Sequence, residues 1–407
     1  MKKIDGGVTA PKGFKAAGLY AGIKKGGKKD MAMVYSEVPC RAAGVFTTNV
    51  VKAAPVKWDH EVVYESEFAQ AVVVNSGVAN ACTGIEGYNC CKEMAAEAGK
   101  VLGVPGDAVL VASTGVIGAQ LPMDIIGSGI GKLAPLLGSS REDAHLAAEA
   151  IMTTDTKPKE VAFETVLGGK TVTVAGMCKG SGMIHPNMAT MLCFVMTDAA
   201  ISHDMLQKAL SDDVEDTFNM ISVDGDTSTN DSVLLMANGL AGNKEITEAD
   251  EDYREFCAVL HEVMTELSKK IAGDGEGATC LFEVKVLGAD TKEHAKILAK
   301  SVVTSSLTKA AIYGHDANWG RILCALGYSG VKFDPEKVDI WFESAAGKLK
   351  IVENGVSTGY SEEEATKILS EEAVTAIADM KMGSAGATAW GCDLTYDYVK
   401  INADYRS

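Results

Sequence analysis

The chain has 407 residues, 47% of them apolar and 23% charged, which is more than one ordinary core requires, so two lobes are expected. Its 38 basic and 55 acidic residues leave a formal charge of −17, a field that repels phosphate backbones and argues against nucleic acid as a partner. Ten scattered cysteines without a C-x-x-C pair, no apolar stretch of membrane-spanning length and no h-region behind the N-terminus suggest a cytoplasmic protein with reduced thiols.

In chain order, residues 71–75 form a short apolar run that ends in the turn signal Asn75-Ser76-Gly77. Tyr88, Cys91, Met94, Ala95, Ala98, Val101 and Leu102 recur at helical spacing until Gly103 stops them. A second apolar run, 109–112, leads into Ser113-Thr114-Gly115. Ser139 with Glu142 reads as a capping box that opens a helix to about Met152. Residues 161–167 and 171–178 read as a hairpin around Gly168-Gly169, and 191–197 as a buried strand. Helices are expected over 202–220 and 247–271, the second with Thr247 at its N-cap. Strand 281–287, helix 292–304, strands 338–342 and 348–352, and a helix capped by Ser361 with Glu364 follow. Residues 387–394 and 396–401 read as a final strand pair. Strands alternating with helices, with glycine-rich segments at strand ends, indicate an α/β architecture whose loops gather at one rim.

The most unusual stretch is Lys179-Gly180-Ser181-Gly182-Met183-Ile184-His185-Pro186-Asn187-Met188-Ala189-Thr190-Met191-Leu192, between two predicted strands. Thr190 presents a hydroxyl to the peptide carbon of Ala189, the requirement for an N-to-O acyl shift. Cleavage there would free an α-amine of reference pKa about 7.7–8, able to take the proton of its own hydroxyl. A lone Ala-Thr step is also an ordinary start for a strand.

This segment closely resembles the cleavage-site signature of the bacterial ornithine acetyltransferases, the ArgJ family. The resemblance extends through Asn75-Ser76-Gly77, Ala79-Asn80-Ala81-Cys82-Thr83-Gly84, Ser113-Thr114-Gly115-Val116-Ile117-Gly118 and Thr153-Thr154-Asp155-Thr156. It continues through Asp224-Gly225-Asp226-Thr227-Ser228-Thr229-Asn230-Asp231, Gly273-Asp274-Gly275-Glu276-Gly277-Ala278-Thr279 and Asn318-Trp319-Gly320-Arg321. It implies a four-layer αββα sandwich, as in the ArgJ/DmpA-like self-cleaving enzymes, with a smaller C-terminal α/β lobe from about residue 288. It also implies an α chain 1–189 and a β chain 190–407, assembled as an α₂β₂ heterotetramer. The implied reaction moves acetyl from N2-acetyl-L-ornithine to L-glutamate through an acetyl-Thr190 intermediate, with acetyl-CoA as a possible second donor.

By the same resemblance, Thr190 is nucleophile and, through its amine, base; Thr114 and Gly115 form the oxyanion hole; and Thr153, Lys179, Glu276, Asn402 and Ser407 bind substrate. The residue chemistry fits these roles. A hydroxyl and an unobstructed glycine N–H suit a developing oxyanion. Lys179 suits an α-carboxylate, and Glu276 the ornithine side-chain ammonium. Ser407 stands where the family has threonine, Val78 where it commonly has asparagine, and His315-Asp316-Ala317 where it has Arg-Asp-Pro.

No cofactor or metal is expected. Glycine-rich 273–277 carries two acids and no following Lys-Ser/Thr, so it is not a phosphate loop. Residues 224–231 lack the glycine and final glutamate of a calcium loop and read as polar residues lining or supporting the site. His261-Glu262 lacks the second histidine of a zinc protease, and His185 reads as structural. A self-cleaving amidase or aminopeptidase, and an uncleaved binding protein of the same fold, are the alternatives.

Overall fold

The computed structural model describes residues 1–185 and 191–404. Ala189, Thr190 and Ser407, to which the sequence reading gives roles, lie outside the described residues.

Among the described residues, nine strands form one sheet. Eight of them run in the order Lys2–Ile4, Lys159–Leu167, Lys170–Lys179, Leu192–Thr197, Ser232–Ala237, Met31–Phe46, Ala69–Val78, Val109–Val116. The ninth, Phe14–Leu19, pairs with the long Met31–Phe46 strand. That strand belongs to two ladders. Its first part pairs with Phe14–Leu19 and Ala69–Val78, and its last part, from Arg41, pairs with Ser232–Ala237. The register shifts between Tyr35 and Cys40, and there the sheet folds over on itself.

Side-chain alternation makes the layers visible. Val72, Val74, Leu110 and Ala112 from one half meet Leu192, Phe194, Met196, Leu234 and Met236 from the other in a single buried cluster. The opposite faces carry helices. Met33, Val73 and Val111 pack against Met94, Ala98 and Ile130 of the helices Gly84–Leu102 and Met123–Leu133. Cys193, Val195 and Leu235 pack against Leu210, Leu260 and Met264 of His203–Val214 and Glu251–Gly273. The architecture is therefore the expected αββα sandwich.

A second sheet, seven strands among the described residues, is built mainly from Leu281 onward. Its order is Val356–Ser357, Gly347–Glu353, Asp339–Ser344, Ala373–Asp379, Leu281–Ala289, Ala385–Cys392, Ile221–Ser222. Phe282, Val284 and Val286 share a core with the Glu251–Gly273 helix, so this helix is buried between the two sheets. No helix among the described residues is long and apolar enough to cross a membrane.

Four local expectations need correction. The capping box is Ser140 with Asp143, one residue later than expected: Ser140 Oγ accepts from the Asp143 N–H (3.2 Å), and Asp143 Oδ2 accepts from the Ser140 N–H (2.9 Å). The 247–271 helix starts at Glu251, because Asp250 Oδ1 takes the Tyr253 N–H at 2.9 Å. The 202–220 helix stops at Val214; Glu215 and Asp216 follow, two acids unfavourable at the negative end of a helix dipole. Residues 396–401 are not a strand but part of the helix Tyr396–Asp404. The Ala385–Cys392 strand already has neighbours on both sides, in Leu281–Ala289 and Ile221–Ser222. Thr395 Oγ1 instead accepts the Tyr398 N–H (3.3 Å) and starts a turn of helix, with Tyr398 and Ile401 half-buried at helical spacing.

Candidate active site

The strands Ala69–Val78 and Val109–Val116 run parallel and end together. Ser113 Oγ donates to Asn75 Oδ1 (2.7 Å), which fixes the two ends against each other. Just beyond, Gly115 has φ +130°, and a Cβ there would lie 2.3 Å from the Gly77 carbonyl carbon. Only glycine permits both that backbone and that approach. Thr114 is thereby held, nearly buried, at the rim of a cavity of about 420 Å³.

Across the cavity the Lys170–Lys179 strand ends at Lys179, whose Nζ donates to Thr114 Oγ1 at 3.2 Å. Lys179 pairs in antiparallel register with Leu192, so the glycine-rich segment leaves and re-enters the sheet at one place. Two aspartates hold its described part. The Gly180 N–H donates to Asp155 Oδ1 (2.7 Å), and the Met183 and Ile184 N–H groups donate to Asp224 (2.7 and 2.9 Å). Gly182 faces the Glu276 carboxylate so closely that a Cβ would stand 2.4 Å from it.

Glu276 follows the Glu251–Gly273 helix. Its N–H donates to the Ser181 carbonyl (2.8 Å), and its Oε2 accepts from Asn402 Nδ2 (2.8 Å). The helix bearing Asn402 is seated by Thr395 Oγ1, which donates to the Gly277 carbonyl (2.8 Å), and by Asp393, which accepts from the Thr279 and Cys280 N–H groups. Thr153 follows the Arg141–Ala150 helix and donates its N–H to Asp155 Oδ2 (3.0 Å).

Thr114, Gly115, Thr153, Lys179, Glu276 and Asn402 therefore line one cavity. A smaller adjoining recess is lined by Thr114, Lys179, Asp231 and Met191, the residue that follows Thr190 in the chain.

Sequence reading did not single out Thr154, Met183, Ser228 or Asn230, which also line the cavity. Asn230 Nδ2 donates to the Ala79 and Ser113 carbonyls (2.6 and 2.8 Å), tying its loop to the end of the Thr114 strand. The polar spacing of 224–231 was the signal for this, and the expectation that the loop lines or supports the site describes its position. His185 is not among the lining residues; its Nδ1 lies 3.1 Å from Ser222 Oγ.

Charge in the site is arranged around buried groups. Burial pushes the Lys179 ammonium down from its ordinary value, while Asp155 opposes that effect most strongly. Burial also opposes the charge of Asp155, but Lys159 and Lys179 outweigh it and hold the carboxyl well below the usual carboxylate range. Burial pushes Asp231 well above that range, and its Oδ2 has no hydrogen-bond partner among the described residues. Asp155 is thus a buried acid that stays charged and gives Lys179 its strongest support.

The sequence pattern of the ArgJ family matches residues 15–407. The chain belongs to the ArgJ family. An arginine biosynthesis bifunctional protein ArgJ from Thermotoga neapolitana is 52% identical, with 98% of this chain and 99% of that protein covered. Its counterpart from Symbiobacterium thermophilum is 54% identical, with both chains covered in full. Among solved structures, an ornithine acetyltransferase from Mycobacterium tuberculosis complexed with ornithine is 42% identical, with 46% of this chain and 97% of that chain covered and a TM-score of 0.42. The cavity residues of this ArgJ-family chain come from seven separate segments, which explains why the family's motifs are scattered along the sequence.

Proposed function

We propose that this chain is a self-processing acetyltransferase of arginine biosynthesis, moving acetyl from N2-acetyl-L-ornithine to L-glutamate through an acetyl-Thr190 ester. The observation that carries the reading is the convergence of Thr114 and Lys179 on a recess that Met191, covalently next to Thr190, also lines, with Gly115 in the adjoining cavity.

In processing, the Thr190 hydroxyl adds to the Ala189 carbonyl carbon, acyl shifts from nitrogen to oxygen, and water hydrolyses the ester. A carboxylate at Ala189 and a free α-amine at Thr190 result. The chain then consists of fragments 1–189 and 190–407, the second containing a C-terminal lobe from about residue 288. In turnover, the Thr190 oxygen attacks the acetyl carbonyl of acetylornithine while its amine takes the hydroxyl proton. The Thr114 hydroxyl and Gly115 N–H stabilise the oxyanion. The C–N bond breaks, the proton passes to the departing ornithine nitrogen, and the α-amine of glutamate attacks the ester and regenerates the hydroxyl. Lys179 pairs with the α-carboxylate common to both substrates, and Glu276 with the side-chain ammonium of ornithine. Thr153, Asn402 and Ser407 complete the binding site.

The relatives' names contain the word bifunctional. This supports a second, acetyl-CoA-dependent acetylation of glutamate at the same nucleophile, read as thiol release. An α₂β₂ assembly is the proposed quaternary state. The ten cysteines, none of them in a disulfide, suit a reducing cytoplasm.

The test is mass spectrometry of the purified protein, incubated with acetylornithine and glutamate. A fragment beginning at Thr190 and formation of acetylglutamate are expected. Thr190→Ala is expected to give one full-length band and no turnover. Free acetate in place of acetylglutamate would make the enzyme a hydrolase, and two bands from Thr190→Ala would remove self-cleavage at this bond.

A further inference from the structure

A buried ion cluster lies behind the cavity and takes no part in the chemistry above. Lys159 Nζ sits 2.5 Å from Asp155 Oδ1 and 2.5 Å from Asp274 Oδ2, with the Lys159 side chain 2% exposed and that of Asp155 fully buried. Each acid also holds backbone. Asp155 accepts from the Thr153 and Gly180 N–H groups, and Asp274 from the Thr156 N–H (3.1 Å) and the Thr156 hydroxyl. Ser181 Oγ donates to the Asp274 carbonyl at 2.8 Å. One lysine therefore joins the segments that carry Thr153, Gly180 and Glu276.

We propose that Asp155 is a positioning residue of this site: it keeps Lys179 cationic for the substrate carboxylate and, through Lys159 and Asp274, holds three substrate-binding segments around the cavity. The proposal rests on the acetyl-transfer reading for its substrates. Its physical ground is independent of that reading, because a buried cation of three donors bridging two carboxylates is a geometric clamp that fails when either acid loses its charge.

The groups acting on Lys179 are Asp155, Lys159, Asp231 and Glu276, and Lys24 feels its charge in turn. Asp155 opposes the desolvation of Lys179 more strongly than Asp231 or Glu276, so replacing Asp155 removes the main charged support of Lys179. The ammonium then loses its proton at lower pH, and the substrate carboxylate is released at lower pH with it.

The experiment measures kcat and KM for acetylornithine against pH in the wild-type enzyme, Asp155→Asn, Asp155→Glu and Asp274→Asn. Lysine Nζ resonances are followed in the same samples. In Asp155→Asn the alkaline limb of kcat/KM is expected to move down by about 1–3 pH units. KM at pH 8 is expected to rise at least tenfold while kcat changes less. Asp155→Glu, which keeps the charge, retains the wild-type limb. Asp274→Asn loosens the Glu276 segment and raises KM without moving the limb. An unmoved limb in Asp155→Asn, or an equal displacement in Asp274→Asn, overturns the proposal. If Asp155→Asn does not fold, displacement of the limb in Asp155→Glu overturns it. Failure of the wild-type enzyme to make acetylglutamate sinks the acetyl-transfer reading alone, since the Lys179 resonance reports its titration without turnover.

Discussion

Thr114 already shares a hydrogen bond with Lys179, so its hydroxyl is oriented before any substrate arrives. Thr114→Val keeps the shape and removes the donor; kcat is expected to fall by about 10²–10³ with KM little changed, measured in the acetylglutamate assay. His185 gives a pH signature of a different kind. Burial, with Lys300 adding to it, lowers its pKa to about 4, so it is neutral in the folded state near pH 7. A base whose folded pKa is depressed contributes stability above its unfolded pKa, about 6.5, and that stability is lost as pH falls toward 4. His185→Gln is expected to flatten the loss of thermal midpoint between those pH values in calorimetric scans. At this scale the sequence was informative where chemistry constrains the residue type: Thr114, Gly115, Lys179 and Glu276 stand in glycine-rich motifs and meet at the cavity. Lys159 was invisible for a physical reason. A lysine beginning a strand reads as solvated, and only the fold brings Asp155, four residues away, and Asp274, over a hundred residues away, to its ammonium.

Among the elements, the Glu251–Gly273 helix links stability to the site. It packs between the two sheets, and the segment directly after it presents Asp274 to the clamp and Glu276 to the cavity. Its N-terminal cap at Asp250 is far along the helix from both, so Asp250→Ala is expected to cost about 1 kcal/mol in denaturant titration and leave KM within twofold. Long periodic runs were readable because burying one face of a helix demands the 3.6-residue repeat; the 88–102 pattern is the helix Gly84–Leu102. Ends were less readable, since neighbouring hydroxyls and carboxylates compete for the same free N–H groups, as Ser139 and Ser140 do. The 396–401 error is of another kind. Alternating tyrosines permit a strand locally, and the decision came from a sheet edge that had no place for one.

For the molecule as a whole, the order of strands decides what a cut between residues 189 and 190 does. Leu192–Thr197 and Ser232–Ala237 from the second fragment lie between Lys170–Lys179 and Met31–Phe46 from the first. Both fragments are therefore expected to co-elute in native size-exclusion chromatography and to part only in denaturant. The strand order itself was not legible, because hydrophobic alternation marks which face is buried and says nothing about neighbours. A single polypeptide carries this interleaving as an intramolecular event, assembled once while its ends are tethered. The proposed cut removes that tether, and recovery from denaturation then becomes a second-order encounter between two incomplete halves. On the proposed processing, maturation is a ratchet: the enzyme gains its nucleophile and gives up its capacity to rebuild itself at high dilution.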